Sequence, residues 1–153
     1  MDIERIIDKM DDLEKCLREL EEYLPEGVDA YLRSGLRRRA CERAFQLACE
    51  NLLDICNMII SDEGLGMPRD SRDSVQKIAS HNMISESLAS RIGELIGFRN
   101  LIVHQYGRVD DCRAHKQMYG ESGDFYEFLE EIERFITSKR DESGERLTNR
   151  DRR

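Results

Sequence analysis

The sequence predicts an all-α protein, an antiparallel bundle of four to five helices. Three observations point there. Apolar residues recur every three or four positions through most of the chain, the spacing of one helix face. Breakers are scarce, with two prolines and ten glycines in 153 residues. Charged residues make up 37% of the chain, well above the usual quarter, as expected of helices with solvated outer faces.

The first helix is expected from about Asp2 to Leu24. Ile3, Ile6, Met10, Leu13, Leu17, Leu20 and Leu24 form a seam suited to helix–helix contact, which Pro25 and Gly27 end. A second, long helix is expected over 31–60, with Leu36, Ala40, Ala44, Leu47, Ala48, Leu52, Ile55 and Ile59 as its stripe. Its small residues allow a neighbour to approach closely. Residues 61–68 read as a turn-rich loop, and a short helix over 71–80 follows. Ser85 or Ser87 can cap the next helix, which carries Leu88, Ile92, Leu95, Ile96, Ile102 and Val103 and stops at Gly107. A short helical turn is expected over 110–118. The last helix starts at Asp124, with Glu127 completing a capping box. Beyond Lys139 one large apolar residue occurs in fourteen, so the domain is placed at 1–138 and residues 139–153 are expected to be a flexible charged tail.

The net charge of −8 argues against a general nucleic-acid-coating protein, but leaves room for a nuclease with a local basic cleft. Residues 1–30 hold eleven acids and four bases; residues 33–43 hold five arginines and one acid. Arg37, Arg38, Arg39 and Arg43 in that cluster are either a solvated helix face or a phosphate-contacting wall. No apolar run approaches the ~20 residues of a membrane span, and the N-terminus lacks the look of a signal peptide. Five cysteines without a C-x-x-C pair suit reduced thiols in the cytoplasm, with Cys41, Cys49 and Cys56 as buried small hydrophobes. No metal-ligand spacing is evident, and neither a metal nor another cofactor is expected.

The chemistry-bearing segment is Arg99-Asn100-Leu101-Ile102-Val103-His104-Gln105-Tyr106. On a helical wheel of about 100° per residue, Leu88, Ile92, Leu95, Arg99, Ile102 and Tyr106 share one stripe. A guanidinium thus stands where the pattern asks for an apolar residue, and needs a partner acid or a functional cleft. Glu50 or Asp54 of the long second helix can be that partner, whether the pair is structural or positions Arg99 for catalysis. Asn100 and His104 are one turn apart on a different flank; Arg99 and His104 lie about 140° apart. His104 falls in the last turn, where the helix dipole favours imidazolium, so it suits general acid–base work. Arg99 suits a phosphate with developing charge, and Asn100 can donate to a phosphate oxygen or orient the histidine. His81 and His115 have no evident partner and read as surface residues; Tyr119 and Tyr126 read as packing residues.

The motif Arg99-Asn100-x-x-x-His104-x-Tyr106, within Gly97-Phe98-Arg99-Asn100-Leu101-Ile102-Val103-His104, resembles the signature of the HEPN superfamily and its HepT-like branch. Segments 43–50 and 53–57 resemble that family's long second helix, 65–68 followed by 71–73 resemble its loop and third helix, and the likeness covers about residues 2–137. The resemblance implies a homodimeric helical bundle with two motifs facing one cleft, and metal-independent RNA cleavage by Arg99 and His104 with Asn100 beside them. It implies a toxin of a type VII-like toxin–antitoxin system. Its partner would be an MntA-like nucleotidyltransferase that adds AMP to Tyr106 and blocks the cleft. The other reading is a non-catalytic helical dimer that binds and assists a nucleotidyltransferase. Gln105 departs from the acid that many relatives carry there.

Overall fold

Ser34 divides what the periodicity presents as one long helix. In the computed structural model, which describes residues 1–104 and 110–151 (side chains 1–102 and 110–144), a six-residue helix α2 (Val28–Arg33) precedes α3 (Gly35–Glu63). Ser34 is extended, at φ −121° and ψ 106°, and its hydroxyl accepts from the Arg37 N–H at 3.1 Å. A side chain that satisfies the next helix's free N–H groups makes the break favourable. Leu36, expected to start the buried stripe, is consequently 84% exposed. The other helices are α1 (Ile3–Tyr23), α4 (Ser71–Ser80), α5 (Glu86–His104), α6 (Asp111–Glu121) and α7 (Gly123–Asp151).

The four long helices run up-down-up-down. Asp2 reaches Asp62, Lys9 reaches Asp54 and Cys16 reaches Asn51, so α1 and α3 are antiparallel. Ser85 meets Glu131 while Arg91 meets Asp124, so α5 and α7 are antiparallel too. Phe45 packs on Phe125 and Glu63 pairs with Lys139, which makes α3 and α7 parallel. The seam of α1 is buried as its spacing requires, at Ile6, Leu13, Leu17 and Leu20. Burying such side chains contributes roughly 1.5–3 kcal/mol each. No strand occurs among the described residues.

Local chemistry sets the helix ends. Gly64 ends α3 in the left-handed conformation, at φ 64° and ψ 42°. Asp70 caps α4 through the Asp73 N–H, Ser85 accepts from the Leu88 N–H, and Asp110 caps α6. The expected stop at Gly107 lies outside the described residues. The chain beyond Lys139, expected to be a flexible tail, instead continues α7 to Asp151. Lys139 itself pairs with Glu63 at 3.3 Å, so the boundary drawn at 138/139 falls inside a helix tied to α3. Exposed Glu and Arg are good helix formers, so α7 extends without an apolar face to bury. No described helix is long and apolar enough to cross a membrane.

One further expectation changes. His115 is buried rather than on the surface. Its Nε2 lies 2.7 Å from the Pro25 carbonyl, and its ring stacks on Tyr119 and tilts against Tyr31. Tyr119 and Tyr126 pack as expected: Tyr119 stacks on His115 while staying half exposed, and Tyr126 packs against the core and donates its hydroxyl to Glu21 at 2.5 Å. Cys41, Cys49 and Cys56 are buried free thiols, as expected.

Candidate functional site

The C-terminal half of α5 presents its residues in two directions. Phe98 and Ile102 enter the core; Phe98 meets Phe45 edge-on at 5.3 Å, and Phe45 in turn meets Phe125 at 5.9 Å. These aromatic contacts fix the rotation of α5 and bring Arg99 against α3. Its guanidinium pairs with Glu50 at 3.5 Å, and the Arg99 side chain is 20% exposed. A second guanidinium nitrogen donates to the Asn100 side-chain oxygen at 3.1 Å. Arg99 Nε is buried and has no partner among the described residues. The arginine on the apolar stripe is therefore anchored to one acid by a long contact and remains incompletely satisfied.

Of the two acids that could partner Arg99, the structure selects Glu50. Asp54 is one turn further along α3 and pairs with Lys9 of α1 at 3.2 Å. Gln46, which the sequence pattern does not single out, donates to Glu50 Oε1 at 3.2 Å, the same oxygen that receives Arg99. Its only sequence signal is the one-turn spacing to Glu50. Cys49, next to Glu50, is a buried thiol; burial pushes it up to about 12, against the opposing pull of Arg99, which disfavours the reactive thiolate.

The arginine cluster splits. Arg38 donates to the Leu32 and Tyr31 carbonyls at the end of α2 and pairs with Asp111 of α6 at 3.5 Å. It is a structural tie rather than part of an open basic wall. Arg37, Arg39 and Arg43 are exposed. Arg39, Arg43, Gln46 and Glu50 recur at steps of three and four along α3, so one row of polar side chains leads from the exposed arginines to Arg99.

Asn100 is exposed, and His104 is the last described residue of α5. The side chain of His104, and Tyr106 altogether, lie outside the described residues. A second cation meets α5 one turn before Asn100. The Arg72 guanidinium, from the first turn of α4, lies over Gly97 so closely that a Cβ built there would sit 2.5 Å from its Nη2. Nothing in the sequence pattern singles out Arg72.

Comparison with known proteins bears on this arrangement. A family model described as "Ribonuclease HepT-like" matches residues 13–132. An mRNA nuclease HepT from Shewanella oneidensis is 27% identical over 132 residues, covering 86% of this chain and 92% of that protein. A tRNA nuclease HepT from Aphanizomenon flos-aquae is 26% identical over 96 residues, 63% of this chain and 65% of its own. Among solved structures, a tri-AMPylated Shewanella oneidensis HEPN toxin in complex with an MNT antitoxin superposes with a TM-score of 0.79 at 26% identity, covering 87% of this chain and 98% of that one.

Proposed function

The chain belongs to the HepT-like ribonuclease family, and on that premise we propose that it is the RNA-cleaving toxin of a toxin–antitoxin pair. The observation that carries the reading is Arg99: a cation at a core position, aimed by Glu50 yet incompletely satisfied. His104 removes the proton from a ribose 2′-hydroxyl, whose oxygen attacks the adjacent phosphorus. The bond to the 5′-oxygen breaks, and that oxygen takes a proton as it leaves. The products are a 2′,3′-cyclic phosphate and a 5′-hydroxyl. Arg99 stabilises the charge that builds on the phosphoryl oxygens, Asn100 donates to the same group, and no metal is required. Arg37, Arg39 and Arg43 guide the RNA backbone toward the site.

The helical wheel leaves Arg99 and His104 about 140° apart. A cleft between two copies of the chain, each offering its motif, resolves this, and the protein works as a homodimer. Its partner is a nucleotidyltransferase antitoxin of the kind seen with the Shewanella oneidensis toxin. The phenolic oxygen of Tyr106 attacks the α-phosphorus of ATP and releases pyrophosphate. The AMP left behind fills the cleft with bulk and negative charge, which repels RNA. The buried free cysteines suit action in a reducing cytoplasm.

The test compares the wild type with His104→Ala on purified RNA, with and without chelator. We expect cleavage with cyclic-phosphate ends that survives chelation, and at least a hundredfold loss in the variant with unchanged helicity. Cleavage that chelator abolishes and His104→Ala retains overturns the mechanism. Absence of cleavage by either protein favours the non-catalytic partner of a nucleotidyltransferase.

A further inference from the structure

On α5 the residues that share a stripe with His104 are Gly97, Asn100 and Leu101, at spacings of seven, four and three. Arg99 is not on that stripe; it faces α3 and Glu50. The cation that does lie on it comes from another helix. Arg72, in the first turn of α4, rests its guanidinium against Gly97, one turn before Asn100 and about 10 Å along the axis before His104. Its neighbours are engaged elsewhere: Arg69 pairs with Asp73, and Lys77 donates to the Leu65 carbonyl. Arg72 is exposed, and its side chain has no hydrogen bond or ion pair among the described residues. The bare backbone of Gly97 makes this placement possible, because any side chain there would occupy the guanidinium's position.

We propose that Arg72, seated in the notch left by Gly97, is a phosphate-binding residue for the RNA. It holds a backbone phosphate beside the one that is cleaved. The forked guanidinium suits two phosphate oxygens, and Asn100 lies between it and His104 on the same stripe. Substrate then lies along this flank of α5, with Arg72 setting its register. This rests on the ribonuclease reading above but names a residue which that reading does not use.

The test measures binding of a fluorescent single-stranded RNA of mixed sequence in a His104→Ala background, where the RNA stays intact, over a range of salt. Arg72→Ala should weaken binding about tenfold at low salt and reduce the slope of log K against log salt by about 0.7, as for one lost phosphate contact on a single strand. Arg72→Lys should recover part of the affinity. Gly97→Ala should weaken binding similarly with no loss of melting temperature, since alanine favours the helix and only the tip of a flexible side chain must move. A merely structural role for Arg72 does not produce that combination. Arg69→Ala, removing another exposed cation from the same segment, should leave binding unchanged. RNA binding by the parent that is indifferent to Arg72→Ala and Gly97→Ala overturns this inference alone. Absence of salt-dependent RNA binding by the parent overturns the ribonuclease reading, and this inference with it.

Discussion

Arg91 and Arg99 occupy the same helix two turns apart, and their surroundings differ in kind. Arg91 is gripped by α7: two guanidinium nitrogens meet the two Glu127 oxygens at 2.7 and 2.9 Å, and Asp124 adds a contact at 2.5 Å. Arg99 has one carboxylate at 3.5 Å, a neutral amide at 3.1 Å and an unpaired buried Nε. A paired, bidentate guanidinium docks two helices. Arg99 is held in place but left with donors to spare, which is the feature the proposed catalytic role draws on. The contrast separates an arginine that docks α5 on α7 from one whose pairing within the fold is incomplete.

The largest expected effect comes from the element on which both regions rest. Phe45 packs on Phe98, beside Arg99, and on Phe125, beside Asp124. Phe45→Ala should cost about 3–5 kcal/mol of stability and degrade both arginine environments together. Chemical denaturation gives the first quantity. Intact stability in this variant would show that the aromatic chain does not fix α5.

Next is the direct comparison. Arg99→Ala should slow RNA cleavage about 10²–10³-fold without a comparable loss of stability. Arg91→Ala should lower the melting temperature while the folded protein cleaves normally. Single-turnover cleavage and thermal melts on the same preparations decide it, and equal loss of cleavage in both would dissolve the distinction. A smaller effect is expected at Glu50. Glu50→Gln keeps the size but loses the charge that aims Arg99, so cleavage should fall by about tenfold, in line with an energy of roughly 1.4 kcal/mol. The loss should appear in the turnover of bound RNA rather than in its binding.

Much of this contrast is legible in the amino-acid order. The stripe of α5 exposes Arg99 as a charge at a core position, and the pattern predicts helix α4 over the residues where it occurs. The features that are not legible depend on partners distant in sequence. Glu50 and Asp54 are one turn apart on α3, and only the presence of Lys9 on α1 separates their roles. Arg38 reads as one of a basic group, but the break at Ser34 puts open carbonyls within its reach. His115 is buried because the Pro25 carbonyl happens to face it from ninety residues away. The docking role of Arg91 requires α7 to be in place. Helix periodicity reports which face a residue occupies; it is silent on what the neighbouring helix brings to that face.

The Arg91 region makes one further prediction, smaller and tied to pH. Its guanidinium holds the Glu127 carboxyl below its ordinary value of 4.5, chiefly through the hydrogen bond between them. The unfolded chain therefore binds the proton more readily than the folded one, and stability falls as pH falls. The contribution is complete above the unfolded value and is lost progressively as pH drops through the lower folded one. Arg91→Met removes the partner while keeping the bulk of the side chain. The variant should melt closer to the wild type at pH 3 than at pH 7, because the wild type alone has this interaction to lose. Solvent screens the pair, so the difference should be modest and should shrink in high salt. A constant gap in melting temperature between the two proteins across that range would mean that Arg91 docks α5 on α7 through packing of its stem, and that its contrast with Arg99 is one of shape rather than charge.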